Sequence, residues 1–194
     1  MSKNELTTEK MTQALGWAYE KALNGIPGDL SSESLAKSYM KRFSSTDEAI
    51  HSLIKWQTAK SSTSGFVTGL GGIVTLPVAV PVNIASVLYV QMRMIAAIAY
   101  MRGYDLKDDQ VQTFVFICLT GQAASDILKQ SGITVGTKLT VQLIKKVPGA
   151  TLTKINQKVA FRLVTKFGEK GVINLGKLVP VVGGVIGASV DGVG

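Results

Sequence analysis

Residues 81–103 read PVNIASVLYVQMRMIAAIAYMRG within a chain of 194 residues. Pro81 suits the first turn of a helix, where its missing N–H has no helical partner, and Gly103 suits the residue after a helix end. We therefore predict a helix from about residue 82 to residue 102. At 1.5 Å per residue, this helix is about 30 Å long, which is enough to cross a bilayer.

Three polar residues of this helix, Asn83, Ser86 and Arg93, fall on one side at 100° per residue. A polar stripe indicates a helix packed among protein rather than one surrounded by lipid. Arg93 then needs a carboxylate partner. The candidates are Asp126 and the aspartates at 105, 108 and 109, and we favour Asp126 because it too lies in an apolar helix. The predicted polar centre is therefore Asn83, Ser86, Arg93 and Asp126.

Helical spacing of apolar residues recurs on both sides of this segment, whereas alternating strand patterns are hard to find. Before it we predict helices over 5–24 and 32–43, and a third that begins at the capping box of Ser45 and Glu48 and runs to about Lys60. After it we predict a helix over 108–131, which would form a hydrophobic hairpin with 82–102. Two more helices are expected over 134–147 and 151–168.

These elements predict an all-α fold, a single-domain helical bundle around the central hairpin. Residues 1–44 read as an N-terminal helical extension and 45–194 as the main helical domain. Hydrophobic residues make up 46% of the chain and charged residues 18%, and the mean hydropathy is +0.26. This composition excludes disorder as the main state and requires a large buried core.

The net charge of +8 is concentrated in residues 133–178, which hold nine Lys and Arg residues but only one acidic residue, Glu169. Within this segment, cations recur at every fourth position: Lys154, Lys158, Arg162, Lys166 and Lys170. A parallel apolar stripe runs through Leu152, Ile155, Val159, Leu163 and Phe167. The pattern is typical of a basic amphipathic helix. Its cationic face is either a solvated surface or a site for an anionic membrane; nucleic acid is disfavoured because aromatic residues are few.

Two glycine-rich segments border prolines, one containing Gly65, Gly69 and Gly72 and the other Gly183 and Gly187. Small residues spaced by four let helix backbones approach closely, so we interpret these five as helix-packing glycines. A hinge is the alternative for the first segment.

Enzyme motifs fail on count or spacing. Gly69-x-Gly71 lacks a third glycine at Val74, so it does not make a dinucleotide-binding loop, and Ser189 is followed two residues later by Asp191 instead of glycine. The single cysteine, Cys118, and the single histidine, His51, exclude an internal disulfide and a Cys- or His-rich metal centre. We expect no catalytic residue, no cofactor and no metal.

Motifs from Gly65 onward resemble the EcsC family of bacterial proteins. The central ones are Gly65-x-x-Thr-Gly69-Leu-Gly-Gly72, Leu76-Pro77, Pro81, Arg93-Met-Ile-Ala-Ala-Ile-Ala99-Tyr100 and Gly103-Tyr-Asp105. The C-terminal ones are Lys177-Leu-Val-Pro180-Val-Val-Gly183-Gly-Val-Ile-Gly187 and Val190-Asp191. The resemblance covers the chain from about residue 45 onward. It implies a helical protein found with bacterial membrane or transport systems, and it carries over no catalytic residue.

The expected function is a non-enzymatic one: association with an anionic membrane lipid or a hydrophobic protein partner through the basic helix and the apolar hairpin. The alternatives are a membrane-inserting, pore-forming toxin or secreted effector, and a carrier of a lipid or other hydrophobic ligand. The N-terminal residues lack an apolar signal-peptide core. We therefore expect a cytoplasmic protein that is peripheral to the inner membrane. Secretion that does not depend on a signal peptide is the alternative, and whether the C-terminus is natural is left open.

Overall fold

The computed structural model of the chain describes residues 5–61, 80–134 and 145–170. Within these ranges the fold is an all-α, single-domain bundle without a strand, as predicted. The helices are α1 (Thr8–Asn24), α2 (Ser32–Met40), α3 (Thr46–Ser61), α4 (Val82–Met101), α5 (Asp109–Leu119), a 3₁₀ turn (Gly121–Ala123), α6 (Ala124–Gln130) and α7 (Gly149–Lys170). The five predicted packing glycines lie outside the described residues.

The apolar helix predicted from residues 81–103 is α4, and it lies at the centre of the bundle. Helices α1, α2, α3 and α5 all pack against it. Among the described helices it alone is long and apolar enough to cross a membrane, but 89% of its most apolar window is buried inside the protein. A core helix needs the same composition as a spanning one, and the prediction of a helix packed among protein is confirmed.

Side-chain caps explain where several helices begin. The hydroxyl of Ser45 accepts a hydrogen bond from the backbone N–H of Glu48 at 3.2 Å, which confirms the predicted start of α3. Thr7 and Ser31 cap α1 and α2 in the same way, and the carboxylate of Asp108 caps α5. Each cap satisfies an N–H group that has no partner within its own helix.

The prediction of one continuous helix over 108–131 is wrong, because the helix ends at Leu119 and a new one begins at Ala124. The hydroxyl of Thr120 donates to the carbonyl of Ile117 at 2.6 Å. Gly121 then adopts a φ of 60°, in the left-handed region that favours glycine. The second arm of the hairpin with α4 is therefore only the 11 residues of α5.

Helices α2 and α3 run in opposite directions along α4. Helix α2 is parallel to it, because Ser32 at the start of α2 contacts the carbonyl of Arg93 and the Nζ of Lys37 further along lies 5.8 Å from the centre of the Tyr100 ring. Asp47 at the start of α3 pairs with Arg102 at 2.6 Å, just after the end of α4, while Gln57 near the end of α3 contacts Arg93 in its middle. Thus α3 runs antiparallel to α4. Helices α1 and α2 pack in the same core as α4; the predicted boundary between residues 44 and 45 stays a prediction.

Helix α7 packs on α1 and α5 through its apolar stripe. All five stripe residues are buried: Leu152, Ile155, Val159, Leu163 and Phe167. The amphipathic pattern predicted for this helix is confirmed. Its opposite side is left facing outward.

Candidate functional site

The predicted polar centre contains one buried cation, Arg93, whose side chain is only 3% exposed. Its partner is Asp29, in the loop between α1 and α2, whose carboxylate accepts from Nη1. Nη1 also donates to the carbonyl of Leu30 at 3.1 Å, and Nη2 to the amide oxygen of Gln57 at 3.4 Å. The arginine therefore joins α4 to the α1–α2 loop and to α3.

Neighbouring groups complete this network. The hydroxyl of Tyr89 donates to the second oxygen of Asp29 at 3.2 Å, and burial raises the pKa of this phenol. The guanidinium of Arg93 lies 5.8 Å from the centre of the Tyr89 ring. The Oγ of Ser32 lies 2.9 Å from the carbonyl oxygen of Ala22 and 3.2 Å from that of Arg93. The network surrounds a buried arginine and joins four helices and the α1–α2 loop, so we assign it a structural role.

The pairing of Arg93 with Asp126 is wrong. Asp126 lies exposed on α6, because the break after Leu119 separates α6 from the line of α5. Asn83 is also exposed and accepts from the N–H of Ile84, whereas Ser86 is buried and donates to the carbonyl of Val82 in its own helix. Of the four predicted members, only Arg93 belongs to the buried ionic network.

The loop that carries Asp29 depends on a glycine. Gly25 has φ 78° and ψ 172°, a conformation open essentially to glycine alone. A Cβ at this position would lie 3.1 Å from the backbone N of Ser31 and 3.2 Å from the carbonyl O of Asp29. Any side chain here would displace the backbone that presents the Asp29 carboxylate.

We expect Gly25→Ala to lower the free energy of unfolding by about 1–3 kcal/mol, through the strained φ and the backbone contacts. Gly16→Ala is the matched control, because Gly16 lies exposed within α1 and a Cβ there meets nothing within 4 Å. That change should be neutral or stabilising by up to about 1 kcal/mol. Chemical denaturation measures both, and equal effects would contradict this account of the loop.

The predicted basic residues lie on the outer side of α7. Lys154 and Arg162 are exposed, and Lys158 is half-buried with its Nζ donating to the carbonyl of Gln130 at 2.7 Å. This bond satisfies a carbonyl at the end of α6, as cations often do at helix C-termini. Lys166 is half-buried. The side chain of Lys170 lies outside the described residues.

Lys154, Lys158 and Arg162 form one wall of an open groove of about 820 Å³ between α1, α6 and α7. Its charged lining residues are Glu9, Asp126, Lys154, Lys158 and Arg162. Ala123 and Ile127 add apolar lining, and the α1 wall carries hydroxyl and amide groups. The groove therefore offers positive charge on the α7 side and carboxylates on the other two sides.

The sequence reasoning missed Phe161, which lines the same groove and is 64% exposed. It follows Val159 of the buried stripe by two residues, so it points to the opposite side of α7. This spacing was the available signal: a phenylalanine between Lys158 and Arg162 where the helix pattern calls for a polar residue. A ring flanked by cations suits the boundary between lipid headgroups and acyl chains.

The single cysteine and the single histidine do not line the groove. Cys118 is buried in α5, where burial raises the pKa of its thiol to about 12. His51 is exposed on α3, with Nδ1 2.9 Å from the carbonyl oxygen of Asp47. Within the described residues, no three His, Cys, Asp or Glu side chains come together as a metal site would require. The arrangement as described can bind charge and apolar surface.

Comparison with known proteins identifies the family of the chain. No curated protein and no solved structure matches the chain. The pattern that defines the EcsC protein family matches residues 2–193, and therefore includes α1 and α2 as well as the central and C-terminal motifs. With a match over nearly its whole length, this chain belongs to the EcsC protein family.

Proposed function

We propose that this protein is a non-enzymatic, peripheral membrane protein that binds anionic lipid headgroups through the outer side of α7. The headgroup site comprises Lys154, Lys158, Arg162 and Phe161, which we call the α7 face. The observation that carries the proposal is the exposed ring of Phe161 between cations on one wall of a groove. A helix face that only contacts water would explain the cations, but it would not explain an exposed phenylalanine ring.

The expected strength of membrane binding follows from the usual free-energy contributions of basic and aromatic side chains at a bilayer surface. A basic residue near an anionic bilayer contributes about 1 kcal/mol. Full burial of a phenylalanine side chain contributes about 1.5–3 kcal/mol, and interfacial burial contributes less. The α7 face therefore supports weak, reversible binding that depends on salt.

The core position of α4 favours peripheral binding over insertion of the hairpin. A spanning pair needs two helices of about 20 residues each. Helix α5 has 11 residues, and α4 is buried against four other helices. A pore-forming function would require the core to open and α5 to lengthen.

A carrier function is the second candidate, and the groove favours it. Its volume of about 820 Å³ lies within the usual range of small-molecule sites, about 300–1,000 Å³. A lipid carried there would place its phosphate on the α7 side. This function uses the same cations but would retain a lipid after the membrane is removed.

Flotation with vesicles tests the proposal. We expect the full chain to float with phosphatidylglycerol vesicles at about 50 mM NaCl and to dissociate at about 500 mM, because salt screens exposed charges. Phosphatidylcholine vesicles are the control and should not bind it. A chain that ignores phosphatidylglycerol at low salt refutes the proposal.

Two further readouts separate the alternatives in the same samples. Release of an entrapped dye would indicate insertion of the hairpin, and intact vesicles would support peripheral binding. A lipid that stays bound to the purified protein in native mass spectrometry would support the carrier.

A further inference from the structure

The end of α2 and the turn that follows it expose Met40, Lys41, Arg42 and Phe43. The two apolar side chains are 42% and 36% exposed. These residues belong to other elements than the α7 face, and none of them lines the groove beside α7. We call these four residues the α2–α3 tip.

The tip is held in place by Tyr39, which is itself buried. The ring of Phe43 stacks on that of Tyr39, with centres 6.5 Å apart and planes inclined by 14°. The guanidinium of Arg42 lies 5.7 Å from the same ring, and the N–H of Arg42 donates to the carbonyl of Tyr39 at 2.9 Å. The exposed side chains are therefore presented by an ordered turn anchored in the core.

The charge of the tip is positive. Residues 38–46 contain Lys41 and Arg42 but no Asp or Glu. Of the next two acidic residues, Asp47 pairs with Arg102, whereas Glu48 accepts from the hydroxyl of Ser44 and keeps its negative charge, so the tip carries more positive than negative charge. Two apolar side chains beside two cations match an anionic bilayer surface, where the ring of Phe43 and the thioether of Met40 would enter the interface and the cations would stay at the phosphates.

We propose that the α2–α3 tip is a second membrane contact, which inserts Met40 and Phe43 into the interfacial layer of an anionic bilayer. The choice of a bilayer rests on the proposed function, but the tip uses different residues. A second copy of this chain is a poorer occupant, because two apolar side chains lie far below the roughly 800 Å² per partner of a standard protein interface.

Site-specific labelling tests this contact. Cys118 is fully buried and burial raises its thiol pKa to about 12, so thiol reagents should leave it unmodified in the folded protein. In the variant Phe43→Cys, an environment-sensitive fluorophore is attached to the new thiol at the tip. Ala59→Cys is the matched control, an exposed position about 20 Å further along α3 at 1.5 Å per residue.

With phosphatidylglycerol vesicles, we expect the label at position 43 to shift to the blue and the label at position 59 to stay unchanged. Met40→Ser combined with Phe43→Ser should weaken vesicle binding roughly 10-fold, since both side chains lose apolar burial. Both positions are exposed, so circular dichroism should show an unchanged fold. An unaltered affinity in this double variant contradicts the proposal.

The outcomes distinguish the two membrane proposals. If the protein floats but the label at 43 remains in water, the tip proposal fails and the α7 face stands. If the label shifts while neutralising the α7 cations changes nothing, the tip stands and the α7 face fails. If the chain does not float at all, both fail.

Discussion

Replacing Asp29 with alanine should lower the free energy of unfolding by about 3 kcal/mol. The change leaves the guanidinium of Arg93, which is almost fully buried, without its carboxylate. An uncompensated buried charge is among the most destabilising defects a single substitution can create. In a chain of this size the melting temperature should fall by about 10 °C, which calorimetry measures directly.

Two matched variants separate this buried pair from ordinary surface charge. Asp47→Ala removes the carboxylate of another long-range ion pair, which is largely exposed beside Arg102, and should cost about 1 kcal/mol or less. Adding Arg93→Met to Asp29→Ala should recover much of the loss, because the double variant leaves no unpaired charge. If Asp29→Ala costs no more than Asp47→Ala, the network does not hold the loop as described.

Neutralising the three groove cations together should weaken binding to phosphatidylglycerol vesicles about 100-fold. Lys154→Gln, Lys158→Gln and Arg162→Gln each remove one charge, at about 1 kcal/mol per charge near an anionic surface. Quantitative flotation across lipid concentrations measures the affinity. Because Lys158 also bonds the carbonyl of Gln130, the unfolding free energy of this variant is measured alongside.

The control for this experiment changes the net charge equally elsewhere. Lys55, Lys107 and Lys129 are exposed and line no part of the groove. Their combined change to glutamine should alter binding far less than the α7 variant. Equal losses would mean that overall net charge, and not the α7 face, determines membrane binding.

The secondary structure was largely readable from local pattern. A helix buries one side through residues spaced by three and four, so the apolar stripe of α7 could be predicted from the sequence. The ends of α1 and α4 could be predicted from the glycine and proline residues beside them. The break after Leu119 was not predicted: Thr120, Gly121 and Gln122 interrupt the apolar run there, but apolar residues resume at Ala123 and continue through Ile127 and Leu128. A threonine hydroxyl and one left-handed glycine end α5 there.

The functional surface required the folded chain. The cations of α7 were predicted, but the groove beside them exists only because α1 and α6 pack against the same helix. Phe161 was visible in the sequence as an interruption of the polar side. Its exposure could be established only once the buried stripe had been placed against α1 and α5.

Sequence alone predicted an all-α bundle, a position among protein for α4, and a carboxylate partner for Arg93 inside it. These conclusions rest on local spacing and on the cost of burying a charge, which hold in any arrangement of the helices. Only the tertiary structure decided that the carboxylate is Asp29. The two residues are 64 positions apart, and contacts at such separation depend on how loops and helices pack, which local pattern does not encode.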